Sequence, residues 1–363
     1  MSETLSTYHV IGLMSGTSLD GLDLVCCSFT LVNGKWDFQV IAMEEFSWEE
    51  EWVRLLSQAF YQKEEDIKSL DLKFGKLLAE KTRAFIIKNQ LNPLLISSHG
   101  HTIFHKPEQG ITLQIGNGQQ IADKTGVITI NNFRIADVKK GGQGAPLVPV
   151  GDRLLFAKYD FCLNIGGISN ISFELKGKRI AFDISPANMV LNYLVGQKGL
   201  KYDSGGRMAS AGKVNQDLLD QLNSLDYYQL PYPKSLGREW VEAKFIPVLD
   251  QSDLSIEDKL ATCCMHIAGQ VADVINEFLE GNLLITGGGA FNNYLIKRIK
   301  ELSNHKVIIP SKEIIQMKEA IVFAFLGLLR YLGEINCLCS VTGASSDSST
   351  GDIYHPSFEK KSY

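Results

Sequence analysis

Residues 15–21 read Ser-Gly-Thr-Ser-Leu-Asp-Gly and lie between two apolar runs. A plain hairpin needs two turn residues. This one carries two glycines, three hydroxyls and a carboxylate. Gly16, Thr17, Ser18 and Gly21 can turn several backbone N–H groups toward one point. Such a nest holds phosphate, and the hydroxyls add donors. Asp20 suits Mg²⁺, directly or through water, better than phosphate itself. No Gly-Lys-Ser/Thr follows, so this is not a Walker A loop. The plainer alternative is a loose turn with Asp20 as a local cap.

The logic recurs twice. Residues 164–170, Asn-Ile-Gly-Gly-Ile-Ser-Asn, put Gly166, Gly167, Ser169 and Asn170 in a second polar turn. Residues 285–293 carry Gly287, Gly288 and Gly289 between a buried strand and a helix. Ligands of α/β folds sit at such strand ends, and three glycines clear room for a flat ring. Glycines there also occur for packing alone. Asp183 closes a strand ahead of a proline-started helix. A carboxylate there can take a proton from water or a hydroxyl, or merely cap the helix. His99, His101 and His105 invite a metal reading, but no acidic or cysteine ligand lies nearby in sequence. Loop hydrogen bonds or ligand contacts fit them better. Arg134 could clamp a carboxylate bidentately, with Asp137 nearby as an ion-pair alternative. Glu319 sits early in a very apolar helix, where it complements the helix dipole or, if buried, requires a partner.

These side chains need a frame. Residues 8–14, 21–32 and 36–45 alternate as strands, with an Asn33-Gly34 turn. Helical spacing covers 47–60 and 67–90. A short buried strand follows in 93–105, a strand and a short helix in 111–126, and another strand in 127–133. Residues 134–150 are rich in Gly and Pro and read as a linker or a site-building loop. The opening pattern then returns over 161–195: strand, polar turn, strand, Lys176-Gly177 turn, strand, helix. Two such starts about 155 residues apart are a weak internal duplication. Helices are predicted over 213–224, 255–280, 291–303 and 316–335, and strands over 282–286 and 306–310. The tail from Thr342 is polar and reads as partly mobile.

The chain has 363 residues, 45% hydrophobic and 21% charged, with a formal net charge of −5. That length favours two domains. No Lys/Arg-dense segment supports nucleic-acid binding. No apolar run reaches a membrane span, and the N-terminus lacks a signal-peptide pattern. The seven cysteines form no CxxC pair, which suggests buried free thiols in a reducing cytoplasm.

Taken together, nine stretches resemble the anhydro-N-acetylmuramic acid kinase family, within the sugar kinase, actin and heat-shock ATPase superfamily. They are IGLMSGTSLDGLD, SSHGHTIFH, LQIGNGQQIA, FRIADVKKGGQGAPLVP, LNIGGISNI, YDSGGRMASAG, PKSLGREW, ITGGGAFN and KEAIVFAFLG, spread over nearly the whole chain. The resemblance implies an α/β, two-domain, actin-like ATPase (ribonuclease-H-like) fold with a central interdomain cleft. The implied domains are 1–136 and 137–339, with the tail 340–363 returning to the first. It implies an ATP- and Mg²⁺-dependent enzyme that opens 1,6-anhydro-N-acetylmuramic acid with water and phosphorylates its 6-oxygen, in cell-wall recycling. Carried over by motif, Gly16 to Asp23 form the first phosphate loop and Gly166 and Gly167 belong to the second. Gly287 to Gly289 face adenosine, and Asp183 is the general base. His101, Arg134, Asn170 and Glu319 are the implied sugar contacts, and Asp20 the metal ligand. A cytoplasmic homodimer is also implied. The sequence departs from the family pattern at Asp183-Ile184-Ser185-Pro186-Ala187-Asn188, where the family has Asp-Thr-Gly-Pro-Gly-Asn. It departs again at His101, where Gln is usual, and at Leu236, where Thr is usual. A required positive φ at Ser185 would strain it. A kinase for another sugar and a non-catalytic nucleotide-binding regulator are the alternatives.

Overall fold

The computed structural model describes residues 6–16 and 19–357. Its packing divides the chain into two units, residues 1–155 with 317–363, and residues 156–316.

In the first unit β1 (Ser6–Met14), β2 (Gly21–Val32) and β3 (Lys35–Ser47) form an antiparallel meander. Asn33 and Gly34 both take positive φ, 52° and 76°, as the tight turn between β2 and β3 requires. β4 (Leu95–Ser98) joins β1 in parallel. β5 (His101–Lys106) and β6 (Ile111–Ile115) make a separate hairpin, and β7 (Ile128–Asn131) runs parallel to β4. The helix Glu64–Lys88 buries Ile67, Leu70, Phe74, Leu78 and Phe85, one face at helical spacing, against the sheet core of Ile11, Leu13, Leu24 and Ile96.

The second unit repeats the plan. β8 (Phe161–Ile165), β9 (Ile168–Leu175) and β10 (Lys178–Pro186) are antiparallel neighbours. β11 (Asn282–Thr286) and β12 (Lys306–Ile308) continue in parallel from β8. The helix Ile256–Ile275 buries Leu260, Cys264, Ile267 and Val271 in this unit's core.

The two sheets share one strand order. The sequences β3-β2-β1-β4-β7 and β10-β9-β8-β11-β12 both run third, second, first, fourth, fifth. This is the ribonuclease-H-like arrangement, present once in each unit, and it gives the weak sequence duplication its structural meaning.

β13 (Asp352–Tyr354) extends the first sheet by pairing antiparallel with β7. The expected partly mobile tail is therefore ordered at least to residue 357. Backbone pairing and buried Ser348 and Thr350 hold it, so apolar patterning gave no sign of it. Residues 137–155 and 317–339 pack with the first unit rather than the second. Asp137 explains the former: its buried carboxylate accepts from Gly144 N, Thr342 Oγ1 and Cys337 Sγ. The latter follows from Phe325, whose ring lies 5.3 Å from Phe29 and 5.2 Å from Trp36. All seven cysteines are free thiols. Among the described residues no helix is long and apolar enough to cross a membrane.

Candidate active site

In the first unit the polar loop leaves β1 at Ser15. Leu19 N donates to Gly16 O at 3.2 Å, closing a turn in which Leu19 takes φ 61°. The expected hydroxyl donors Thr17 and Ser18 lie outside the described residues. Asp20 is exposed beyond the turn. Gly21 has a packing reason as well: an added Cβ would overlap the Phe46 carbonyl across β3. Leu22 is 1% exposed, so its side chain belongs to the core and only its backbone is left for a ligand. Asp23 stands opposite Met14 on β1 and Glu45 on β3. Burial, then Glu45, Glu319 and Asp20, push its carboxyl up to about 6.

His101 is turned inward. It is 3% exposed, its Nδ1 lies 3.0 Å from Ser15 Oγ, and its ring meets Phe74 edge-on. Burial pushes it down to about 4, so it is neutral at pH 7. The structure thus places it under the loop as a support for Ser15 rather than at a surface. His105 bonds Thr112, and no group of three His, Cys, Asp or Glu among the described residues is arranged to hold a metal.

His99 has a role that the motif alone concealed. Its Nδ1 donates to Gly100 O at 2.9 Å, which leaves Nε2 as an acceptor. Arg134 donates to that nitrogen from both Nε and Nη2, at 3.2 and 2.8 Å, and from Nη1 to Gly144 O at 2.7 Å. Burial, then the Arg134 charge, push His99 down to about 3, which keeps the acceptor lone pair available. Of five guanidinium N–H groups, these three bonds use three. Among the described residues the second N–H on each Nη takes no hydrogen bond, an end-on pair suited to an oxyanion. Glu319 is exposed, yet crowding protein raises its carboxyl while Arg134 and Lys318 draw it back.

In the second unit three polar side chains stand in register. Asn164 on β8 is opposite Asn170 on β9, which is opposite Asp183 on β10. Directly paired residues share a sheet face. Ladder register shifts between Asp183 and Ser185, a bulge that re-aims the strand end. Asp183 is half-buried, and Leu236 N donates to its Oδ2 at 2.9 Å. Burial raises its carboxyl, and that bond offsets part of the rise. Gly166 and Gly167 turn their carbonyls to the N-terminus of the helix Asn188–Gly196, accepting from Asn188 N at 3.0 Å and from Ala187 and Met189 N at 2.8 and 3.1 Å. Ser169 is fully buried and bonds Ser185 O, so its hydroxyl supports the Asp183 turn instead of reaching a ligand.

The third glycine knot separates into distinct parts. Gly287 takes φ 80°, and a Cβ there would sit 2.7 Å from both Asn164 Oδ1 and Ile165 O. Gly289 is buried against Ile165. Gly288 is exposed, with Asn188 Nδ2 3.5 Å from its Cβ position, and is the one left open to a ligand.

A family model described as anhydro-N-acetylmuramic acid kinase matches residues 8–356. The chain belongs to this family. A relative of that name from Aliivibrio fischeri is 35% identical over 364 residues, covering 95% of this chain and 98% of its own. One from Shewanella putrefaciens is 36% identical over 368 residues, covering 94% and 97%. Among solved structures, component A of (R)-2-hydroxyglutaryl-CoA dehydratase from Acidaminococcus fermentans aligns with TM-score 0.42 at 11% identity, covering 87% of this chain and 96% of its own. A ROK family glucokinase from Streptomyces griseus, in complex with glucose and AMPPNP, aligns with TM-score 0.38 at 9% identity, covering 89% and 98%.

The departures of this anhydro-N-acetylmuramic acid kinase family member from the family pattern are accommodated locally. Neither Ser185 nor Ala187 takes positive φ, and Ala187 has φ −131°. Neither position therefore demands the left-handed backbone that favours glycine. Leu236 acts through its backbone N–H, which any residue but proline supplies. Sequence reasoning missed Asn164, His99 as the partner of Arg134, and Tyr227 and Lys234 beside Asp183. For Lys234, the stretch PKSLGREW was the signal.

Proposed function

We propose that the chain is an ATP-dependent kinase acting on 1,6-anhydro-N-acetylmuramic acid. Water opens the anhydro bridge at carbon 1, the 6-oxygen takes the γ-phosphoryl group, and N-acetylmuramic acid 6-phosphate and ADP leave. Asp183 is the general base. The observation that carries this reading is its carboxylate: one oxygen is held by Leu236 N–H, and among the described residues the other takes no hydrogen bond.

The chemistry asks for such a group. Water attacks carbon 1 poorly unless its proton is taken, and Asp183 Oδ1 takes it. As the bond from carbon 1 to the bridging oxygen breaks, that oxygen gains the electron pair and attacks phosphorus. Phosphoryl transfer depends mainly on position and electrostatics. Gly16 to Asp23, and Gly166 with Gly167, supply backbone contacts to the phosphates. Gly288, flanked by the two structural glycines, faces adenosine. The end-on N–H pair of Arg134 takes the sugar's lactyl carboxylate, and Asn170 and Glu319 take its hydroxyl or amide groups. Mg²⁺ would be held by Asp20, with Asp23 reached through water, and would neutralise phosphate charge. The fit is electrostatic: burial first, and then the neighbouring Glu45, Glu319 and Asp20, raise Asp23, and a cation relieves the carboxylate part of that penalty. Free thiols suit a reducing cytoplasm. A homodimer belongs to the same reading, and light scattering tests it.

Mass spectrometry of product made in ¹⁸O-labelled water tests the reaction. One heavy oxygen at carbon 1 together with one phosphoryl group is expected. ADP release without sugar, or phosphorylation without ¹⁸O, overturns it. Asp183→Asn should keep ATP affinity within a fewfold and lower turnover about 10²–10⁴-fold. Unchanged turnover removes Asp183 from the mechanism.

A further inference from the structure

We propose that the segment Tyr227–Leu236 is a strap that aims Asp183, with Tyr227 as its principal positioning residue. The inference rests on the reading of Asp183 as the general base. Asp183 has four polar groups to satisfy, and this one segment holds three. Asp183 N donates to Lys234 O at 3.1 Å, Tyr227 OH donates to Asp183 O at 2.6 Å, and Leu236 N donates to Asp183 Oδ2 at 2.9 Å. The place of β10 at the edge of its sheet explains why. Asp183 pairs with Asn170 on one side only, and its half-buried backbone groups on the open side need partners from elsewhere.

The strap is itself anchored. Lys234 Nζ donates to Tyr227 O at 3.1 Å and lies 4.6 Å from the centre of the Tyr227 ring and 6.0 Å from that of Tyr228. Tyr227 is 3% exposed and packs 5.4 Å from Trp240. Tyr228 OH lies 2.7 Å from His266 Nε2, and His266 Nδ1 lies 2.6 Å from Asn223 Oδ1. Asn223 Oδ1 also accepts from Gln270 Nε2 at 3.3 Å, so His266 Nδ1 carries the proton and Nε2 accepts from Tyr228. Burial keeps His266 neutral. The path runs from the core helix Ile256–Ile275 through His266 and Tyr228 to Tyr227, and ends on the Asp183 carbonyl. With Leu236 N–H holding Oδ2, Oδ1 is the carboxylate oxygen that takes no hydrogen bond among the described residues and is placed to receive a proton.

Full-length Tyr227→Phe, which keeps the ring and deletes the donor, tests this in steady-state kinetics across pH. kcat should fall about 10–100-fold with both KM values within about threefold, because a misplaced reacting group loses rate without losing binding. The acidic limb of the kcat profile should move to higher pH, because a loosened Leu236 N–H bond no longer offsets burial. The titratable groups facing Asp183 are Tyr227 and Lys234 of the strap. Its cross-strand neighbour Asn170 does not titrate, and burial raises Tyr227 far above the assay range. Unchanged kcat, or a fall in kcat with an unmoved limb, overturns the proposal. Should Tyr227→Phe fail to fold, Lys234→Met and Lys234→Arg decide. Met should reproduce the shifted limb, and Arg, which also stacks on aromatic rings, should restore at least half of kcat; equal activity of the two overturns the proposal. Asp183→Asn separates the two failures. If it stays active, the base assignment falls. If it is inactive while the strap variants behave as wild type, only the strap falls.

Discussion

Asp23 holds a charge that its surroundings oppose. Its folded-state value of about 6 lies above its ordinary 3.8. Below about pH 4 both native and unfolded chains carry the proton, and the penalty vanishes. Between about pH 4 and 6 the unfolded chain gives up this proton while the native carboxyl, raised by burial and then by Glu45, Glu319 and Asp20, keeps it, so stability declines across that window. Asp23→Asn should therefore raise stability at pH 7 by about 1 kcal/mol, after allowance for partial solvent screening. It should leave stability nearly unchanged at pH 3.5. Thermal melts at both pH values check this, and equal gains at both would show that charge is not the cause. Asp183 follows the same sign in activity: burial raises it, so turnover is lost as pH falls through that raised value. At this scale the residue types were legible in the sequence and their orientations were not. Leu22 and Ser169 fall on strands β2 and β9 beside the expected loops, and their side chains turn into protein, because strand alternation decides which face each residue meets.

The Gly-Gly-Gly turn shows what an element demands of its residues. Gly287→Ala places a Cβ at positive φ and 2.7 Å from the Ile165 carbonyl. We expect a loss of about 2–3 kcal/mol, read from denaturant unfolding. Gly288→Ala meets nothing closer than 3.5 Å. It should leave the melting temperature within about 1 °C, as surface substitutions usually do, and weaken ATP binding measured by calorimetry. Unaltered ATP affinity would move adenosine away from this turn. Strands and long helices were readable from periodicity. The helix Glu64–Lys88 begins three residues before its predicted start, and its first-turn acids explain that extension. The bulge at Asp183 and the strap Tyr227–Leu236 were not readable, because neither has a period and both depend on partners distant in sequence.

The whole molecule is discontinuous in one half only. The second unit is a single stretch, residues 156–316, whereas the first needs residues 317–363 to complete its core and sheet. Ser97 Oγ donates to Phe323 O, Phe325 packs on Phe29 and Trp36, and β13 pairs with β7. Residues 156–316 expressed alone should melt cooperatively by circular dichroism. Residues 1–155 should not, until a second fragment, 317–363, is supplied in trans. A cooperative melt of 1–155 by itself would show that the C-terminal helix and strand are accessories.

The sequence by itself determined the family, the reaction class and a weak repeat of one strand-and-turn pattern, because polar glycine turns between apolar strands are local patterns written in neighbouring residues. Only the tertiary structure decided which of those residues face solvent, that His99 holds Arg134, and that among the described residues one oxygen of Asp183 takes no hydrogen bond. Those outcomes depend on hydrogen bonds between residues 10 to 53 positions apart. No local pattern records such pairings, because each is selected by the burial of everything around it.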